Sequence, residues 1–211
     1  MPVFRSGLDQ VPAWCEMQFF DIVELEPGQT HQYERIGTKE KLIVGNGACR
    51  IRFEGQEIAA QERANLDLTA NTGQFSVDAV EGSTTLIRMC GDWGQELGGS
   101  GIFTGETSAE PQDKGDVINY EKTTNFDNHF HDCDEYWIVF QGNALVYTEG
   151  KPYRVGIGDC VATGMGHHHD MSQVYAPVRA VYFETTMAGQ KRRGHLWDHT
   201  HGPAQAQKER I

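Results

Sequence analysis

Apolar residues in this chain come in short runs of four to seven, rich in Val, Ile, Tyr and Phe and closed off by Gly, Asn, Asp or Pro. Lys41–Val44, Ala48–Phe53, Thr84–Met89, Glu135–Phe140, Ala144–Thr148 and Val178–Thr185 are examples. Side chains alternate faces along a strand, so runs of this length and composition pack as β-strands, whereas a helix needs apolar residues every three or four positions over several turns. Outside a stretch of the tail, no segment sustains that helical period. The expected fold class is therefore all-β, a sandwich or a barrel. With 24 glycines and only 7 prolines in 211 residues, the chain has the makings of many tight turns rather than of a disordered tract.

A displacement of 95 residues lays the first half of the chain on the second. Glu40 and Gly47 fall on Glu135 and Gly142, and Leu42-Ile43-Val44 falls on Trp137-Ile138-Val139. Phe53-Glu54-Gly55 falls on Thr148-Glu149-Gly150, and Thr85-Leu86-Ile87-Arg88 on Ala180-Val181-Tyr182-Phe183. Strands meet strands and turns meet turns, as in two copies of one β module. The expected domains are 1–105 and 106–211, with the glycine-rich stretch Gly91–Gly105 and the polar segment Glu106–Asp116 joining them.

The net charge of −12 excludes nucleic acid as an expected partner, because phosphate binding needs a basic surface or stripe. The one basic cluster, Lys191-Arg192-Arg193, reads as a solvated turn. The apolar runs fall far short of the roughly 18 residues that cross a bilayer, so no membrane partner is expected. Five scattered cysteines without a C-x-x-C pair build neither a disulfide framework nor a thiolate zinc site. The first residues also lack the basic start and apolar core of a signal peptide, and a reducing cytoplasm is the expected location.

Histidine is unevenly spent. Eight of nine lie beyond residue 128, in the groups His129/His131, His167/His168/His169 and His195/His199/His201. In His129-Phe130-His131-Asp132-Cys133-Asp134-Glu135, residues two apart project to one face, so His129 and His131 present parallel imidazoles and Glu135 brings a carboxylate to the same point. A fourth ligand is expected from a later strand, where Gly158–His169 offers histidines after two glycine turns.

Together these residues resemble the two signature motifs of the cupin superfamily. The first, G-x5-H-x-H-x3,4-E-x6-G, matches from His129 through Gly142, with Thr123 in place of its leading Gly. The second, G-x5-P-x-G-x2-H-x3-N, matches at Gly158, Gly166 and His169, with Gly164 for Pro and Gln173 for Asn. The resemblance implies two double-stranded β-helix (jelly-roll) barrels in one chain, a bicupin, and a homodimer. It also implies one divalent transition metal ion (Mn, Fe, Zn, Ni, Co or Cu) held by His129, His131, Glu135 and His169. His167 or His168 would replace His169 if the loop were shifted by one or two residues. In the first module the displaced positions carry Glu34, Ile36, Glu40 and Gln74, so its metal site is read as degenerate, with only His31 and Glu40 left as candidate ligands.

By strand parity Trp137 and Val139 share the face of Glu135 and give the cavity an aromatic wall. Candidate proton-transfer residues are Tyr147, Tyr182, Glu184 and His167, with Tyr153 and His168 as further polar candidates. In the tail, a helical turn would set His195 and His199 on one face, as a second ion site, a lid or a packing element. Three function classes follow. One is a metal-dependent isomerase, epimerase or lyase acting on a small sugar-derived or hydroxy/keto-acid substrate; the second is an iron-dependent dioxygenase; the third is a metal-containing protein that only binds a small molecule.

Overall fold

The computed structural model describes residues 2–68, 73–111 and 114–211. Its strands are β1 (Val3–Arg5), β2 (Met17–Leu25), β3 (Thr30–Glu34), β4 (Lys39–Phe53), β5 (Gln56–Gln61) and β6 (Asn65–Leu68). They continue with β7 (Gln74–Gly91), β8 (Leu97–Gly105), β9 (Glu135–Thr148), β10 (Lys151–Gly156), β11 (Asp159–Thr163) and β12 (His169–Thr186), before one helical turn, α1 (Asp198–His201). Among the described residues no helix is long and apolar enough to cross a membrane. The chain divides into two compact units, Glu16–Trp93 and Met1–Cys15 with Gly94–Ile211.

In the unit Glu16–Trp93, β4 and β7 pair along most of their length, and shorter strands divide their outer edges. β6 covers Glu40–Ile43 of β4 while β5 covers Ala48–Phe53; β2 covers Thr84–Gly91 of β7 while β3 covers Gln74–Asp78. Register shifts between Val44 and Cys49 mark bulges, which bend a strand and exchange its two faces. Leu42 and Val44 before the bulges, and Cys49 and Ile51 after them, consequently point into one apolar core with Tyr33, Phe75, Val77 and Leu86. Gly47 sits at the bend with φ +75°, where a Cβ would lie 2.5 Å from the Ser83 carbonyl oxygen, so both handedness and space require glycine.

The other unit repeats this plan. Shifted by 95 residues, the bounds of β5 and β7 become those of β10 and β12, and β4 becomes β9 to within one residue. Gly142, the counterpart of Gly47, has φ +77° and would set a Cβ 2.1 Å from the Pro177 carbonyl oxygen. β8 pairs β12 as β2 pairs β7, but at an offset of 80, so this unit carries 15 more residues between β8 and its histidines than the other does between β2 and the matching positions. β1 adds an edge strand to β11.

This differs from the expected boundary between 105 and 106. The glycine-rich stretch contains β8, a strand of the second unit, and Glu106–Asp116, of which 112 and 113 lie outside the described residues, belongs to the insertion that follows it.

Candidate metal centre

His129 is fixed by a two-way backbone bridge to His169, with N–H to O distances of 3.2 and 2.9 Å. Phe130 makes the same kind of bridge with Leu196, at 3.0 Å each way, on the side facing the tail. Alternation along this short extended segment sends His129 and His131 inward, and Glu135 follows as the first residue of β9, opposite Thr163 and Glu184. The Nε2 atoms of His129 and His131 stand 3.1 Å apart. Glu135 Oε2 lies 3.3 Å from His131 Nε2 and 2.6 Å from His169 Nε2. All four donor atoms lie within 4.8 Å of one another, and none of the four residues is more than 5% exposed.

This donor set fits a metal ion. Glu135 Oε2 and His169 Nε2 are buried without a hydrogen-bond partner, since their close approach lacks hydrogen-bond direction. Orphaned buried polar atoms are costly unless something else satisfies them. The outward nitrogens are already used: His129 Nδ1–H donates to the Asp127 carbonyl at 2.8 Å and His169 Nδ1–H to the His167 carbonyl at 3.2 Å. Both bonds select the tautomer that leaves the Nε2 lone pair inward, the arrangement metal-ligating histidines need. Three imidazoles and one carboxylate suit a divalent transition metal.

Electrostatics favour the ligating forms of His129 and Glu135 and oppose that of His131, whose proton an ion would have to displace. Burial, together with repulsion from His169, His131 and His195, pushes His129 well below the usual imidazole range. Burial would raise Glu135, yet His131 and His169 hold it well below the usual carboxylate range; Glu135 in turn raises His131 against the effect of its burial. Neutral imidazole and ionised carboxylate are the ligating forms.

A cavity of about 590 Å³ opens beside the donors. Phe103, Phe126 and Trp137 form one wall, with edge-to-face ring contacts of 5.2 to 5.8 Å. Tyr182 and Glu184 of β12 line it too. Glycines in β8 make room for both: a Cβ at Gly98 would lie 2.4 Å from Glu184 Oε2, and one at Gly101 would lie 2.9 Å from the Tyr182 ring. At the mouth, His195 stacks flat on His129 at 3.6 Å and donates from Nδ1 to Asp127, which also accepts the Trp197 indole N–H at 2.7 Å.

Of the proton-transfer candidates, the structure brings Tyr182 and Glu184 to the donor set and leaves Tyr147 and His167 outside. The exchange of faces at Gly142 turns Ala144 and Val146 inward and Tyr147 outward, where it stacks on Tyr120 at 3.6 Å. His167 bonds to the Gln207 carbonyl at 2.9 Å. His168 pairs with Asp116 at 2.8 Å, and His169 is the one of the three that reaches the cluster. In the tail, His199 also bonds to Asp116, and Arg210 reaches Asp134 at 2.6 Å, so this segment packs along the loops of its own unit that carry the donor set. Asp127, Asp116, Phe103 and Phe126 escaped the sequence reading; they lie in or beside the insertion, which has no counterpart in the first module.

In the unit Glu16–Trp93, Glu34 and Gln74 are register partners, as His129 and His169 are. Glu40 is 1% exposed and accepts from Arg88 Nε and Nη2 at 3.2 and 2.9 Å, and from the Ile36 and Gly37 amides at 2.7 and 3.3 Å. Arg88 lies opposite Leu42 as Tyr182 lies opposite Trp137, one residue off the displacement of 95 because the bulges differ. A tethered guanidinium therefore faces the carboxylate that corresponds to Glu135. His31 packs edge-on against Tyr33 at 4.4 Å. Among the described residues, the clusters of potential ion ligands all lie between 116 and 198.

Bent double-layered sheets around a buried cluster of imidazoles and carboxylate define a protein of the cupin fold. Solved structures agree on the fold. An IolB-like protein from Salmonella typhimurium aligns over 95% of this chain and 98% of its own at TM-score 0.55 and 12% identity. YhaK from Escherichia coli aligns over 88% and 93% at TM-score 0.54 and 14% identity. No protein-family model matches the chain. The uncharacterized protein y4oW of Sinorhizobium fredii is 45% identical over 212 residues, spanning 100% of this chain and 97% of that protein, and the chain belongs to its family.

Proposed function

We propose that this chain is a metal-dependent cupin enzyme that moves a proton on a small oxygenated substrate, in isomerase, epimerase or lyase chemistry. The observation that carries this reading is the presence of two proton-bearing side chains, Glu184 and Tyr182, on the cavity that the donor set opens into. His129, His131, Glu135 and His169 would hold the ion. When bound, it supplies a Lewis acid that polarises a carbonyl or hydroxyl oxygen.

The remaining work falls to the chain. Burial raises the Glu184 carboxyl above the usual carboxylate range, and the Glu135 charge adds to this while His131 opposes it. A carboxyl on the cavity wall can serve as both acceptor and donor in a proton transfer. Burial and the neighbouring Glu184 and Glu135 charges raise Tyr182, keeping its phenol a hydrogen-bond donor. Phe103, Phe126 and Trp137 exclude water from one side of the cavity and offer a flat apolar face to the substrate carbon skeleton.

The test is solvent exchange. Zinc- or manganese-loaded protein in deuterium oxide is incubated with aldoses, ketoses and hydroxy and keto acids, and carbon-bound deuterium is read by NMR. Exchange that disappears in Glu184→Gln while the metal is retained supports the reading. A second reading, an iron-dependent dioxygenase, draws on the same donor set beside an aromatic wall where an apolar substrate and dioxygen would partition. Substrate-dependent oxygen uptake by iron-loaded protein, without deuterium exchange, would favour it.

A further inference from the structure

Resting on the reading of this cavity as a substrate site, we infer that it selects molecules that are uncharged or cationic beyond the atom facing the donor set, and rejects phosphorylated or doubly anionic ones. Besides the donor carboxylate Glu135, Asp127 and Glu184 line the cavity, and no Lys or Arg is among its described lining residues. Outside the donor set, the other polar lining groups are Tyr182, Thr104, Asn125 and His195, and the last is held by the Asp127 carboxylate through Nδ1. Recognition of a phosphate or second carboxylate ordinarily needs a guanidinium, an ammonium or a cluster of backbone N–H groups.

In the one basic cluster near this mouth, Lys191 and Arg192 are paired with acids, while Arg193 is held by a backbone carbonyl and its charge acts on the cavity carboxyl Glu184. Lys191 Nζ pairs with Glu96 at 2.7 Å. Arg192 pairs with Asp132 at 3.0 Å and donates a further hydrogen bond to the His201 carbonyl. Arg193 Nη1 donates to the Gly98 carbonyl at 3.1 Å. Selectivity against anions thus comes from an unpaired charge that a wrong ligand would bring, and the Phe103, Phe126 and Trp137 wall accepts a neutral ring or, through its π faces, a cation.

Three catechols of one skeleton test this: 4-methylcatechol, dopamine and 3,4-dihydroxyphenylacetate, titrated anaerobically into the zinc-loaded full chain by calorimetry. Calorimetric titration reports binding whether or not turnover occurs. The neutral and cationic probes are expected to bind within a few-fold of each other, and the anion at least about tenfold more weakly. Asn125→Lys, at an exposed lining position, should narrow or invert that preference. An anion that binds wild-type protein as tightly as 4-methylcatechol overturns the inference and leaves the cavity standing as a substrate site. Failure of all three probes to bind overturns the cavity reading and the selectivity together.

Discussion

Arg210→Ala should loosen the metal centre from the far end of the chain. Arg210 Nη1 meets Asp134 Oδ2 at 2.6 Å; the Asp134 side chain is wholly buried and that of Arg210 is 29% exposed. Asp134 also accepts the Met165 amide at 2.7 Å through its side chain and the Thr185 amide at 2.9 Å through its carbonyl. It stands between the candidate ligands His131 and Glu135, one residue before β9. Breaking a fully buried ion pair costs about 3–5 kcal/mol, and partial exposure of the arginine with retention of the Met165 amide brings this to roughly 1–3 kcal/mol. For a domain of this size that is a fall in Tm of about 3–10 °C. Outer partners of metal ligands typically contribute about 10- to 100-fold in metal affinity, and the lower end is expected here because Arg210 acts through Asp134 and the backbone rather than on a donor ring. Calorimetric melting and zinc competition with a fluorescent chelator measure both effects. Asp134→Asn combined with Arg210→Ala should cost less than the sum of the two single changes, because no buried charge is stranded. Wild-type melting and zinc affinity in Arg210→Ala, or strict additivity in the pair, would refute the reasoning.

Arg88→Met should destabilise the unit Glu16–Trp93 by about 3–5 kcal/mol, because Glu40 loses its guanidinium in a buried site; hydrogen exchange in peptides from that unit reads the change, and adding Glu40→Gln should restore part of it. In the metal-free protein, Glu135 raises the folded-state value of His131, so this pair stabilises fully below the ordinary imidazole range and its contribution is lost as pH rises through the raised value. Zinc displaces that proton, so the gain in Tm on adding zinc should grow from about pH 6 to about pH 8; a constant gain would contradict the assignment of His131 as a ligand. Gly98→Ala places a Cβ 2.4 Å from Glu184 Oε2 and should lower deuterium exchange by about 100-fold while zinc binding persists; equal loss of both would make Glu184 part of the metal site.

The strands and the repeat were legible because a strand's apolar period is local and two copies of it reinforce each other. The displacement of 95 that joined Glu40 to Glu135 also carries β5 to β10 and β7 to β12. The four donors were legible for a related reason: three lie within one extended segment and its following strand. Strand β8 was misread as a joining stretch because Gly98, Gly99 and Gly101 hide its alternation, and only contact with Glu184 and Tyr182 explains them. Tyr147 was misplaced because the face exchange at Gly142 resets parity, and Arg88 was aligned with Phe183 for the same kind of reason. The tail partners of Asp127, Asp132 and Asp134, namely Trp197, Arg192 and Arg210, lie 60 to 76 residues away, a separation at which no local period operates.

Metal stoichiometry of the full chain, stripped with chelator and reloaded with zinc, is the most direct test of the centre. One ion per chain is expected, lost in His169→Ala and in Glu135→Ala and retained in Glu40→Gln and His31→Ala. An ion that survives the first two substitutions, or that disappears with either of the last two, would contradict the assignment of His129, His131, Glu135 and His169 as its ligands.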